Sequence, residues 1–279
     1  MRLVAPTNTG TAPCYYLFPR VYILPGRDMN PVSRNVLAVI PARFGSTRLP
    51  GKPLASIAGR PMIQHVVERV RGAQLVSSIL VATDDERILK AVEAFGGKAI
   101  ITRPNHPTGT DRVAEVAAHV SADIYINIQG DEPLIDPGII DAVIASMLED
   151  DSIQIATPCA AITQPKEIMD PNVVKVARDF DSNGLYFSRA PIPWVRDTGS
   201  TVAARYWKHI GLYGFVRDAL LEFPTLPPGE LERVEQLEQL RWLENGFRIR
   251  IVETEYDAVS VDVPADIERV EKILRDRAA

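Results

Sequence analysis

Residues 36–53 read Val36-Leu-Ala-Val-Ile-Pro-Ala-Arg-Phe-Gly-Ser-Thr-Arg-Leu-Pro-Gly-Lys-Pro53. Val36–Ile40 is an unbroken apolar run, the pattern of a strand buried on both faces, and Pro41 stops it. The loop that follows holds three cations (Arg43, Arg48, Lys52), two hydroxyls (Ser46, Thr47) and two glycines (Gly45, Gly51). Glycine lets backbone N–H groups close around an anion, and the cations can neutralise phosphate charge. The bland alternative is a surface loop whose cations cluster by chance. A Walker A loop is excluded, because Gly45 to Gly51-Lys52 is one residue too long and Pro53 stands where Ser or Thr should bind magnesium. No G-x-G occurs anywhere in the chain, so the dinucleotide fingerprint is absent too.

Outward from this loop, apolar runs alternate with amphipathic stretches. Pro61 opens a helix to about Arg71, with Ile63, Val66, Val67 and Val70 on one face. Ile79–Thr83 reads as a strand, followed by a helix from Asp84–Asp85 that ends at Gly96–Gly97. Ala99–Thr102 and Ile124–Ile128 are further strands, and Asp111–Val120 and Pro137–Met147 further helices. This rhythm predicts an α/β fold with a mostly parallel, Rossmann-like sheet flanked by helices, with ligands beyond the carboxyl ends of its strands. After residue 150 the connections become irregular. Strands are predicted at Ile153–Pro158, Val173–Arg178, Leu185–Ser188 and His209–Val216, and a smaller mixed α/β lobe is expected within about 150–215. Glu230–Asn245 reads as one helix, with Leu231, Val234, Leu237, Leu240 and Leu243 on its apolar side. Phe247–Val252 is a strand, and Pro264–Arg275 the last helix.

Composition narrows the class. The chain has 279 residues, 46% of them hydrophobic and 24% charged, the balance of a soluble globular protein. A net charge of −5 disfavours a nucleic-acid partner, although it leaves a local basic pocket open. With only Cys14 and Cys159, the reading is a reducing, cytoplasmic setting. No apolar run reaches the ~18 residues of a membrane span. Residues 1–35 carry five prolines, and Pro19 and Arg20 interrupt their apolar patch, which weakens a signal-peptide reading. The accounts open are a disordered tail, a targeting segment, or a start at Met29; disorder or the later start is preferred. The domain is expected to occupy residues 36–279.

Two aspartates stand at strand ends. Gln129-Gly-Asp131-Glu132-Pro133 follows Ile124–Ile128, and Asp262 closes Val259–Asp262. A carboxylate there suits a hard cation such as magnesium, which takes one or two protein carboxylates alongside phosphate and water. The alternative is a turn or cap role, which is assigned to Asp136 and Asp266 beside helix starts; Glu132 is left undecided. Thr110 could cap a helix start, and Asp84 reads equally as an N-cap or a nucleotide contact. His209 alone would be a structural histidine and Gln239 an exposed helix residue. Trp194, Trp207 and Trp242 read as packing. No nucleophile elbow or catalytic triad occurs.

The loop's STRLPGKPL wording (46–54) closely resembles the 3-deoxy-manno-octulosonate (Kdo) cytidylyltransferases, within the sugar-activating nucleotidyltransferases. Further matches follow in order: VATDDERI (81–88), TGTDR (108–112), NIQGDEPLI (127–135), NVVKVARD (172–179), LYFSRAPIPW (185–194), KHIGLYGF (208–215), LEQLRW (237–242) and VDVPADIERV (261–270). The resemblance runs from Val36 to the C-terminus. It implies transfer of CMP from CTP to Kdo for lipopolysaccharide synthesis, with another acidic sugar such as sialic acid as the alternative acceptor. It implies nucleotide contacts at Ala42, Arg43, Ser46, Lys52, Arg112 and Gln129, with Arg43, Lys52 and Asp131 catalytic. Magnesium is implied on Asp131 and Asp262, Kdo contacts at Arg189, His209, Tyr213 and Gln239, and a homodimer.

Overall fold

The computed structural model describes residues 34–45, 49–197 and 204–278. The N-terminal extension therefore lies almost wholly outside the described residues. So do Ser46 and Arg48 of the loop after β1.

The chain runs through β1 (Val36–Ala42), β2 (Ser56–Ile57), β3 (Arg60–Pro61), α1 (Met62–Val70), β4 (Ser78–Thr83), α2 (Glu86–Ala94), β5 (Ala99–Ile101), α3 (Gly109–His119), β6 (Ile124–Asn127) and α4 (Pro137–Glu149). It continues through β7 (Ile155–Ala161), α5 (Pro165–Met169), β8 (Lys175–Arg178), β9 (Gly184–Ser188), β10 (Trp207–His209), β11 (Tyr213–Val216), α6 (Arg217–Glu222), α7 (Glu230–Glu235), α8 (Gln239–Glu244), β12 (Arg250–Thr254) and α9 (Pro264–Ala278).

β1 lies between β4 and β6, parallel to both, and β5 extends the sheet parallel to β4. β11 then pairs antiparallel with β6 and β7. The full order is β5-β4-β1-β6-β11-β7-β10-β8-β9, with β12 pairing β7 in parallel. The section where a smaller lobe is expected thus continues the main sheet, and residues Arg34–Ala279 form one compact unit.

Alternation along β1 explains the layers. Val36, Ala38, Ile40 and Ala42 join one apolar cluster with α1, α2 and α4, while Leu37 and Val39 join another with α3, α6 and α8. A strand apolar on both faces needs cover on both, which the flanking helices provide. The second cluster is rich in aromatic rings: Trp242, 1% exposed, packs against Phe215, Phe223 and Phe247 with ring centroids 5.8, 4.9 and 4.8 Å away. α9 closes a third cluster of Ile57, Met62, Leu134, Val261 and Val270.

Several local expectations need correction. The run His209–Val216 is two strands separated at Ile210–Leu212, not one. The predicted helix Glu230–Asn245 is broken at Gln236, which is left-handed (φ 54°, ψ 48°). Its apolar stripe is divided accordingly: Val234 is 76% exposed, whereas Leu237 and Leu240 are buried. Packing of α8 into the aromatic cluster outweighs helical continuity. Val259–Asp262 forms no strand; one backbone bond, from Val261 N–H to the carbonyl of Asp131 at 2.9 Å, docks it beside the loop after β6. Trp194 does not pack, being 75% exposed.

Candidate active site

The loops after β1 and β6, the start of α3, the α7–α8 segment and Asp262 enclose a cavity of about 630 Å³. Its wall includes Arg43, Lys52, Arg112, Gln129, Asp131 and Asp262. It opens at the carboxyl ends of parallel strands, as the topology requires.

Local chemistry builds each wall. After β1 the chain turns back on itself, with Gly51 N–H donating to the carbonyl of Phe44 at 3.1 Å. Gly51 is left-handed (φ 67°), and an added Cβ would meet the Phe44 ring at 3.1 Å. Arg87 covers that ring, 3.4 Å from its centroid, and the backbone N–H of Phe44 donates to Asp84 at 3.2 Å. Asp84 also receives a bond from Arg112 at 3.0 Å, so it is neither cap nor free contact. The cap of α2 is Asp85, which accepts from Arg87 N–H at 2.8 Å. Bonding to Arg87 pulls the Asp85 carboxyl down to about 2.

Thr108, rather than Thr110, caps α3, in a reciprocal capping box with Asp111. Thr110 instead donates its hydroxyl to Glu238 at 2.9 Å, tying α3 to α8. Arg112 is 4% exposed and is held by Thr102 at 2.6 Å as well as by Asp84. Gln129 donates from Nε2 to the carbonyl of Gly211 at 2.9 Å, which fixes its amide at the cavity wall. At Gly130 an added Cβ would lie 2.7 Å from the carbonyl oxygen of Pro41, so only glycine lets the two loops approach.

The charged centre is the closest juxtaposition. Lys52 Nζ donates to Asp131 at 2.6 Å and to Asp262 at 3.1 Å. Two carboxylates far apart in the chain converge on one cationic point. Two hard oxygen donors facing a cation match what magnesium asks of a protein. Among the described residues no group of three or more His, Cys, Asp or Glu side chains that could hold a metal ion forms. Asp136 and Asp266 take the helix-start roles expected: Asp136 accepts from Gly138 N–H at 2.8 Å, and Asp266 from the N–H groups of Asp262 and Val263 at 2.8 and 2.9 Å. Glu132 is buried outside the cavity wall, and lost hydration, reinforced by Asp131, raises its pKa to about 8.

Ala42 is buried at the end of β1. The four residues assigned to the acceptor are not among those lining the cavity. His209 bonds to Thr157 at 2.9 Å and packs against Phe187 and Tyr213, with centroids 5.1 and 5.4 Å away. Loss of hydration depresses its pKa to about 3. Tyr213 and Gln239 are buried, and Gln239 Nε2 has no hydrogen-bond partner among the described residues. Arg189 spends its guanidinium on backbone carbonyls. The sequence reading missed Glu232, Arg233, Leu237, Glu238 and Arg241, all in the wall. Glu232 and Arg241 form a buried two-pronged pair at 2.7 and 2.6 Å across the helix break. Burial raises the Glu238 pKa, against the pull of its threonine bonds. LEQLRW held the available signal, but a helical period assigns its residues to the wrong faces.

Cations beside paired carboxylates, at the strand ends of an α/β sheet, fit the nucleotidyltransferase class, and the comparisons show it. The family model for cytidylyltransferase matches residues 37–251. The 3-deoxy-manno-octulosonate cytidylyltransferase of Solibacter usitatus is 52% identical, over 87% of this chain and 95% of its own length. That of Geobacter sulfurreducens is 51% identical, over 85% and 98%. A solved structure of a CMP:2-keto-3-deoxy-manno-octonic acid synthetase complexed with CTP has a TM-score of 0.83 and 46% identity, covering 87% of this chain and 99% of that one. A cytidylyltransferase from Leptospira borgpetersenii, 18% identical with a TM-score of 0.61, shares the fold alone. The chain belongs to the cytidylyltransferase family, among its 3-deoxy-manno-octulosonate cytidylyltransferases.

Proposed function

We propose that the enzyme transfers CMP from CTP to the anomeric hydroxyl of Kdo, giving CMP-Kdo and pyrophosphate for lipopolysaccharide synthesis. The observation that carries this reading is the convergence of Lys52, Asp131 and Asp262 in the cavity that Arg43 and Arg112 also line. In the step, the acceptor hydroxyl loses its proton to solvent and its oxygen forms a bond to the α-phosphorus of CTP while the bond to the pyrophosphate oxygen breaks. Most of the protein's contribution is positioning and charge neutralisation. Arg43, Lys52 and Arg112 face the phosphates, with Ala42 and Ser46 beside the nucleotide and Gln129 on the base. An amide suits base reading because it donates and accepts along one edge. Arg189, His209, Tyr213 and Gln239 belong to the Kdo side, where a carboxylate and several hydroxyls need an arginine and polar neighbours. Asp131 and Asp262 would hold magnesium, which when bound neutralises phosphate charge and acidifies the acceptor hydroxyl. The unit of function is a homodimer in the cytoplasm. Exposed Met169, Leu185 and Trp194 support a contact in the section after residue 150. No helix among the described residues is long and apolar enough to cross a membrane.

Pyrophosphate release measured across CTP, UTP and GTP, with Kdo and sialic acid as acceptors, tests the assignment. CTP with Kdo is expected to dominate, and chelation of magnesium to stop it. Faster turnover of sialic acid would overturn the acceptor. Turnover that survives Asp131→Asn in a folded enzyme would overturn the metal role.

A further inference from the structure

Lys175 lies on β8, outside the cavity wall, and is completely buried. Its ammonium donates to three backbone carbonyls: Asp170 at 2.8 Å, Val173 at 2.6 Å and Arg189 at 2.6 Å. An ammonium has three donors, so the set is complete. Burying a charge is expensive, and here the nearby Asp170 and Glu235 carboxylates offset only part of the cost; an apolar residue would fill the same space without it. What the lysine adds is directional hold on the Arg189 backbone.

Arg189 passes that hold onward. It donates from Nε to the carbonyl of Glu235 at 2.7 Å, from Nη1 to that of Pro171 at 2.9 Å and from Nη2 to that of Gln236 at 3.3 Å. In return the Glu235 carboxylate accepts from the Arg189 backbone N–H at 2.9 Å and the Ser188 hydroxyl at 2.6 Å. Each of the two residues therefore grips the other's backbone. Gln236 is the left-handed residue that breaks the helix, and with Leu237 and Glu238 it lines the cavity. Of the guanidinium's five N–H groups, three serve these carbonyls. Among the described residues one on each terminal nitrogen remains, the number a carboxylate takes in a two-pronged pair.

We propose that Lys175 is a positioning residue for the acceptor half of the site, fixing Arg189 against Glu235 and so aiming the segment from Gln236 to Glu238 into the cavity. This rests on the reading of Arg189 as the contact for the acceptor's carboxylate. Lys175→Met keeps the apolar stem and removes the donors. In the full-length enzyme with magnesium, the KM for Kdo is expected to rise about tenfold or more, while the KM for CTP changes less than about twofold. Glu235→Gln removes the charge and one of the two acceptor oxygens at the other end of the clasp. It is expected to give the same split, and it decides the matter if Lys175→Met does not fold. Ile144→Val, a core change remote from the clasp, is expected to lower the melting temperature without moving either KM. Equal changes in both KM values, or no change in either, in folded Lys175→Met or Glu235→Gln would overturn the proposal. Arg189→Ala separates the two readings. A raised Kdo KM there with an unchanged one in both clasp variants overturns the positioning role. An unchanged one there overturns Arg189 both as the contact and as the guanidinium link to Glu235 and Gln236.

Discussion

Replacing Lys52 with methionine removes the charge at the centre of the site and keeps the apolar stem. The lysine side chain is 13% exposed, against 32% for Asp131 and 40% for Asp262. Hydrogen bonds to charged groups typically contribute ~1.5–3 kcal/mol, and solvent access to the two carboxylates brings each well below that range. The closer pair, with Asp131, is assigned about 1 kcal/mol and the longer one less, so Lys52→Met should lower unfolding stability by roughly 1–2 kcal/mol. Urea denaturation at neutral pH of the wild type, Lys52→Met, Asp131→Asn and the double variant isolates the pair. A coupling of about 1 kcal/mol is expected. Magnesium adds a second readout, because the ammonium and the ion draw on the same carboxylates. The thermal midpoint of Lys52→Met should rise more on adding magnesium than that of the wild type, and Asp131→Asn should lose the response. Zero coupling, together with the same magnesium response in Lys52→Met and wild type, would refute a shared charged site.

His209 stays neutral when folded, with its pKa depressed to about 3 by lost hydration, while the unfolded chain binds a proton below the ordinary value of 6.5. Its contribution is therefore present above 6.5 and is lost as pH falls toward 3, by at most about 1.4 kcal/mol per pH unit. His209→Gln should flatten that part of the acid-unfolding curve, and an unchanged slope would count against the burial argument. Arg241→Met leaves Glu232 as a buried charge without its partner, their side chains being 7% and 11% exposed. A loss of about 3 kcal/mol is expected in urea denaturation, with much of it recovered when Glu232 is made apolar as well. Gly130→Ala sets a methyl group against the Pro41 carbonyl, whose oxygen lies 2.7 Å from the Cβ position. The adjacent Asp131 must shift, and kcat measured by pyrophosphate release should fall about tenfold or more, as small displacements at a reacting centre do.

The parallel half of the sheet was legible because its strands are apolar on both faces and each is followed by an amphipathic run. The loop after β1 and the Asp131 turn were legible as cavity walls for the same reason, since strand ends are where such a sheet binds ligands. Asp262 was placed on a strand that does not exist. One backbone bond to the Asp131 carbonyl does the work assigned to a ladder, and a single long-range bond leaves no periodic trace. The break at Gln236 was hidden more completely. Local periodicity favours one continuous helix, and the forces that divide it, burial of Trp242 and the Glu232–Arg241 pair, act between residues on different elements.

Sequence alone therefore determined the α/β class, the family resemblance and the chemical character of the cavity's first wall, because those follow from residue types within one strand and its loop. Tertiary structure decided that Lys52, Asp131 and Asp262 meet at one point, that Asp84 holds Arg112 instead of capping a helix, and that Lys175 and Arg189 grip the α7–α8 break. Each of these is a contact between segments far apart in the chain. Side-chain charge and hydrogen bonding act over a few ångströms of space, and only the folded sheet brings those distances about.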